Sequence, residues 1–163
     1  MNDESGVGAV LEAVGLEKRY HDGHRTIEVL RGLNLSVARA ASVAIVGQSG
    51  VGKSTLLHLL GALDTPDAGT VRLEGQDLFS MQPTALAALR NRSIGFVFQF
   101  HHLLGDFDAL ENVMMPGLIG GRSRNSMRAR AKELLELVGL SHRETHRPGE
   151  LSGGEQQGST WRP

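Results

Sequence analysis

Apolar and polar residues alternate through LEAVGLEKRY and again through TIEVLRGLNLSV, with a polar turn over residues 21–25 between them. This period of two belongs to half-buried strands and predicts a β-rich opening. The pattern changes at SVAIVG, residues 42–47, a continuous apolar run too short for a helix and rich in β-branched residues. Such a run is expected as a strand buried on both faces, ended by Gly47. Residues 54–62 predict a helix in which Leu56, Leu57, Leu59, Leu60 and the following Leu63 are too many for a surface stripe, so it is expected to lie buried against the sheet. The turn cluster TPDAG leads to a strand and tight turn in TVRLEGQD, then to a helix over 83–92 with Pro83 in its first turn. SIGFVFQ, residues 93–99, reads as a second buried strand. Beyond it the period is helical: ALENVMMPGLI is expected to break at Pro116, and SMRARAKELLELVGL sets Met127, Ala131, Leu134, Leu135 and Val138 on one face before a cap at Gly139.

With 163 residues, 40% of them apolar, the chain has the material for one buried core and predicts a single globular domain. A net charge of -1 and a pI near 6.7 give no chain-wide reason to expect nucleic acid or an anionic membrane surface as partner. The absence of cysteine excludes disulfides, thiolate metal sites and a cysteine nucleophile. MNDESGVGAV carries acids where a signal peptide carries positive charge, and no apolar run approaches the ~18 residues of a membrane-spanning helix. The chain is therefore expected to be soluble, or held at a membrane by another protein. The 21 glycines are about twice the ordinary share of roughly 7%. They gather where the chemistry lies.

GQSGVGKS, residues 47–54, fits G-x-x-x-x-G-K-[ST] between an expected strand and an expected helix. Gly47, Gly50 and Gly52 let the backbone bend into a nest of N–H groups aimed at phosphate oxygens, helped by the positive end of the following helix. Gln48, Ser49, Val51 and Thr55 complete the cradle. Lys53 supplies a charge for the β- and γ-phosphates, and the Ser54 hydroxyl a ligand for Mg²⁺. The plainer alternative is a glycine-rich turn with an incidental lysine; the correct flanks favour a nucleotide. LSGGEQ, residues 151–156, also has two readings. Ser152 and Glu155 make an S-x-x-E capping box. Capping alone does not call for Gly153 and Gly154, which weaken a helix by about 1 kcal/mol each relative to alanine, whereas close approach of a phosphate to a bare helix start does.

The pairing of a P-loop with LSGGEQ resembles the nucleotide-binding domain of ATP-binding cassette (ABC) transporters. The stretches FQFHHLLGDFDALENVMMPGLI and VGLSHRETHRPGELSGGEQQ are similar, within that family, to the ATP-binding subunits of lipoprotein-releasing systems; drug-efflux and cell-division cassettes are the near alternatives. The resemblance implies an α/β P-loop NTPase fold with an N-terminal β-subdomain, an incomplete, mainly parallel core sheet and a helical subdomain. Residues 7–99 would form the β-subdomain and core, 100–157 the helical part with the signature, and 158–163 a tail outside the family pattern. It implies ATP and Mg²⁺ as cofactors, with Gln99 as the Q-loop glutamine near the metal and the attacking water. Ser152, Gly153, Gly154, Glu155 and Gln156 would face the nucleotide of a second copy in a head-to-tail dimer. Transmembrane subunits are the further partners, at the cytoplasmic side of the inner membrane. By the same resemblance Tyr20 stacks on adenine; taken alone, it equally suits a strand-end tyrosine packing for its own sake. Adjacent His101 and His102 lack a third ligand for a metal and read as membrane-subunit contacts or surface polar residues. Ala40 and Ala41 depart from the Gly-Glu that the family usually has before the P-loop.

Hydrolysis at a P-loop needs an apolar strand ending in Asp, with an acid beside it. The 163 residues contain none: SIGFVFQ ends in Gln, Asp77 follows a turn, and Asp106 and Asp108 lie in a loop. The family's counterpart and its switch histidine come after LSGGEQ, where GSTWRP stands. The expectation is an ABC ATPase cut short, binding ATP weakly with little or no turnover. DNA-repair and chromosome-organising ATPases share both motifs but separate them by long coiled coils, which the short interval here does not contain. An inert or partner-sequestering fragment is the third reading.

Overall fold

The computed structural model describes residues 8–23, 25–98 and 102–159. The chain divides into two compact units, Met1–Ala87 and Ala88–Pro163.

The first unit holds a four-stranded sheet. Strands β1 (Ala9–Asp22) and β2 (Arg25–Ala38) form a long antiparallel hairpin, β3 (Ala68–Leu73) pairs with the other edge of β1, and the short β4 (Gln76–Asp77) completes the order β2-β1-β3-β4. The two alternating segments thus become the strands their period predicts. Ala13 and Leu16 are both buried although three residues apart. A register shift between them falls at Gly15, whose φ of +60° suits a bulge that returns Leu16 to the inner face. Helix α1 (Lys53–Leu60) buries Leu56, Leu59 and Leu60 but leaves Leu57 exposed, as is Leu63 beyond its end, so it is amphipathic rather than surrounded. Leu57 is rotated about 100° from Leu56 around the helix axis and faces out.

Neither expected buried strand forms. Residues 42–47 and 94–98 carry no ladder, every ladder among the described residues is antiparallel, and Val43, Val46 and Val97 are 52%, 87% and 66% exposed. The mainly parallel core sheet is therefore not built among these residues, while the mixed α/β character is. An apolar β-branched run records a preference for burial; strand structure needs a neighbour to hydrogen-bond, and no such bond to these runs is found among the described residues. At the departure from the family pattern, the turn before residue 42 is closed by the Ala41 N–H on the Ala38 carbonyl at 3.1 Å, with Ala40 inside it. That residue has a φ of +60°, a conformation costing an alanine about 1–2 kcal/mol and glycine nothing.

Helix α2 (Pro83–Ser93) begins at its proline, as the sequence predicts. The second unit is built on α3 (Ala109–Ile119) and α4 (Arg124–Leu137), whose core joins Leu110, Val113, Met114, Met127, Ala131, Leu134, Leu135 and Leu140, with Val138 packed against it. Asp108 and Glu111 form a reciprocal capping box at the start of α3. The expected break at Pro116 does not occur: the proline lies inside α3. It removes only its own N–H bond, and its carbonyl accepts from the Gly120 amide at 3.0 Å and the Asn91 side chain at 2.9 Å. Helix α4 ends as predicted. Leu140 N–H reaches the Leu135 carbonyl and Gly139 N–H the Glu136 carbonyl, the paired bonds of a Schellman cap around Gly139.

Candidate functional site

The loop over residues 47–52 turns through two left-handed glycines, Gly50 at φ +80° and Gly52 at +101°. Gly52 also lies against β2: a Cβ there would lie 2.6 Å from a methyl of Val29. Helix α1 starts immediately after it with no side-chain cap and no acid in its first turn. The first helical hydrogen bond runs from Leu56 N–H to the Gly52 carbonyl at 2.9 Å, so the amides before it point out of the helix end without intrahelical partners. The Lys53 ammonium folds back onto the carbonyls of Gly47, at 2.8 Å, and Gln48, at 2.6 Å. It places positive charge over the loop and keeps one proton free. Ser54 is exposed on the first turn and Thr55 half-buried beside it. Val51 N–H bonds the Gln48 carbonyl at 3.4 Å, and Gly47 abuts Val51, where a Cβ would come within 2.9 Å of a methyl. Free amides, an unopposed helix dipole and a lysine, with no carboxylate in the first turn, suit a polyanion such as a nucleotide phosphate chain.

Tyr20 lies on β1 opposite Ile27, and its hydroxyl donates to Asp64 at 3.0 Å. Lys18 bonds the same carboxylate at 2.8 Å and sits 5.2 Å from the centre of the tyrosine ring. Burial pushes the Asp64 carboxyl up, but hydrogen bonds from Lys18, the Thr65 amide and Tyr20 outweigh it and hold the group below the usual carboxylate range. Tyr20 as a whole is 41% exposed, so the residue is fixed at its hydroxyl and still reaches solvent.

In the second unit, α5 (Gly153–Gly158) carries the signature. The predicted capping box is present: Ser152 N–H donates to Glu155 Oε2 at 2.8 Å, and Glu155 N–H to the Ser152 hydroxyl at 3.4 Å. Arg143 Nε donates to the other Glu155 oxygen at 2.8 Å, and its Nη1 to His146 Nε2 at 3.1 Å. Hydrogen bonds from the Ser152 backbone and hydroxyl, then from Arg143, pull the Glu155 carboxyl down to about 2. Gln156 spends its side-chain amide on the carbonyls of Pro148, at 2.8 Å, and Leu151, at 3.0 Å. The Gln156 side chain therefore knits the signature loop together. Gly153 and Gly154 have open space where a Cβ would be.

Sequence reasoning passed over Arg143. Its partner lies twelve residues on, a separation with no local periodicity to reveal it. Gln99 and His101 lie outside the described residues. His102 sets its ring edge-on to Phe98 at 5.0 Å, and no group of three or more His, Asp or Glu among the described residues could hold a metal.

A profile of the ABC transporter family matches residues 30–159, and the chain belongs to that family, one of nucleotide-binding proteins. It is similar to the lipoprotein-releasing system ATP-binding protein LolD of Geobacter metallireducens, at 58% identity over 93% of this chain and 67% of that protein. The LolD protein of Bordetella pertussis is 54% identical over 96% of this chain and 68% of its own length. Among solved structures, the dimeric post-hydrolysis state of the ATP-binding cassette MJ0796 bound to ADP and Pi matches with a TM-score of 0.85 at 34% identity, over 92% of this chain and 66% of that one. The chain spans about two thirds of the length of these proteins. No helix among the described residues is long and apolar enough to cross a membrane.

Proposed function

We propose that the chain is the ATP-binding subunit of a lipoprotein-releasing ABC transporter, acting at the cytoplasmic side of the inner membrane through transmembrane subunits. The observation that carries the reading is the start of α1: an uncapped helix end without an acid, entered through left-handed Gly50 and Gly52 and overlaid by the Lys53 ammonium. Phosphate oxygens accept from the free amides, and Lys53 turns its remaining proton, and on binding the two now on Gly47 and Gln48, toward them. Ser54 and Gln99 are the residues to hold Mg²⁺, which when bound neutralises charge on the β- and γ-phosphates. Tyr20 offers its ring to the adenine. A second copy pairs head to tail, and the bare backbone at Gly153 and Gly154 lets its nucleotide come close to the start of α5. The hollow lined by Phe107, Met114, Met115 and Leu118 together with Glu111 and Arg124, which pair at 3.7 Å, suits a side chain of a membrane subunit.

Calorimetric titration with Mg·ATP tests the reading. The chain is expected to bind, and Lys53→Ala to weaken binding by roughly tenfold or more, since a hydrogen bond to a charged group contributes about 1.5–3 kcal/mol. Equal affinity in the two proteins overturns it. Because these residues contain no Asp-ending apolar strand, turnover is expected well below the enzymatic norm. Steady-state hydrolysis at about 1 s⁻¹ or faster, lost in Lys53→Ala, contradicts that part.

A further inference from the structure

The far end of α1 is built as closely as its start, and the groups beyond it converge on one carboxylate. The helix closes with Gly61 N–H on the Leu57 carbonyl at 3.0 Å and Leu63 N–H on the His58 carbonyl at 2.8 Å, and Asp64 follows at once. Asp64 Oδ1 accepts from Lys18 Nζ at 2.8 Å and from the Thr65 amide at 2.7 Å, while Oδ2 accepts from the Tyr20 hydroxyl at 3.0 Å. Lys18 Nζ also donates to the Thr65 carbonyl at 2.7 Å and lies over the Tyr20 ring, 5.2 Å from its centre. The ring is therefore held at its hydroxyl by an anion and against one face by a cation. Held in this way it keeps only a flip about its own axis, which returns the same plane. The eight residues of α1 span about 12 Å, comparable with the reach of a nucleotide from its terminal phosphates to its base. Leu56, Leu59 and Leu60 are buried, so the helix is a fixed spacer between the loop at its start and the carboxylate at its end.

We infer that Asp64 is a positioning residue for the base end of the nucleotide: with Lys18 it sets the plane of the Tyr20 ring on which adenine stacks, at a distance from the phosphate site that α1 fixes. The inference rests on the nucleotide reading above and adds to it what makes ATP bind better than a bare triphosphate chain. A carboxylate serving only to tie β1 to the turn after α1 would affect both ligands alike.

Calorimetric titration of the 163-residue chain with Mg·ATP and with Mg·tripolyphosphate tests the inference. The wild type is expected to bind ATP the more tightly. Asp64→Ala is expected to weaken ATP binding about threefold or more and tripolyphosphate binding by less than about twofold, a difference of the size of one stacking contact. Tyr20→Phe keeps the ring and loses only the hydroxyl, so it is expected to weaken ATP binding by a similar factor. The double variant should bind no worse than either single one, because both cut the same bond. Tyr20 is the only tyrosine in the chain, so carbon-13 tyrosine labelling reports its ring alone. ATP, and not tripolyphosphate, is expected to shift those ring signals. Asp64→Ala weakening both ligands equally, or leaving ATP affinity unchanged, overturns the inference, as do ring signals that ATP leaves unmoved. A wild type that binds neither ligand overturns the nucleotide reading and this inference with it. Should Asp64→Ala unfold, Tyr20→Phe decides: an ATP affinity equal to that of the wild type refutes the role of the Asp64 bond.

Discussion

At the start of α1 no side chain caps the first turn, whereas at the start of α5 Ser152 and Glu155 cap each other and Arg143 holds the carboxylate from outside. Both helix starts are rich in glycine, and the glycines do different work. Gly52 is required by its φ of +101° and by the nearness of Val29, so it shapes a loop whose donors stay open. Gly153 and Gly154 have neither a left-handed φ nor a neighbour that a Cβ would strike, so nothing within the chain asks for them. The comparison separates a helix end whose first amides have no side-chain partner from one whose cap is complete in itself; on the proposed function, the first receives an anion directly and the second meets one from outside.

Alanine at the two kinds of glycine sharpens that contrast most. Gly52→Ala forces a left-handed alanine against Val29 and is expected to destabilise the first unit by about 1–3 kcal/mol, measured by denaturant unfolding. Gly154→Ala is expected to do the opposite, stabilising α5 by up to about 1 kcal/mol through helix propensity, read as slower amide exchange over residues 155–158. Destabilisation by both substitutions would erase the distinction. The smallest effect concerns pH. The Glu155 carboxyl sits at about 2 against an ordinary 4.5, so its contribution to the cap is complete above the ordinary value and is lost as pH falls from 4.5 toward 2. A carboxyl titration followed by NMR is expected to show that low midpoint in the wild type and a rise toward the ordinary value in Arg143→Gln.

What could be read from the sequence follows the range of the interaction involved. The Ser152–Glu155 box, the face of α4 from Met127 to Leu135 and the cap at Gly139 depend on neighbours within a turn or two, and all take the predicted form; the P-loop opens into a helix as expected, but no strand leads into it. The β1–β2 hairpin was legible for the same reason. Residues 42–47 and 94–98 were not, because pairing depends on what lies alongside, which composition does not record. Pro116 misled because a proline deletes one bond in a helix otherwise held by the burial of Leu110, Val113 and Met114. Arg143 and the Tyr20–Asp64 bond, which spans 44 residues, are contacts that only the folded chain brings together.

The most direct measurement is an NMR titration of dilute protein, below any self-association, with Mg·ATP. The account predicts large amide shifts over residues 50–55 and none at Gly153 and Gly154, because an isolated copy offers the open donors of α1 but no partner nucleotide to α5. Shifts at Gly153 and Gly154 with residues 50–55 unmoved would contradict it.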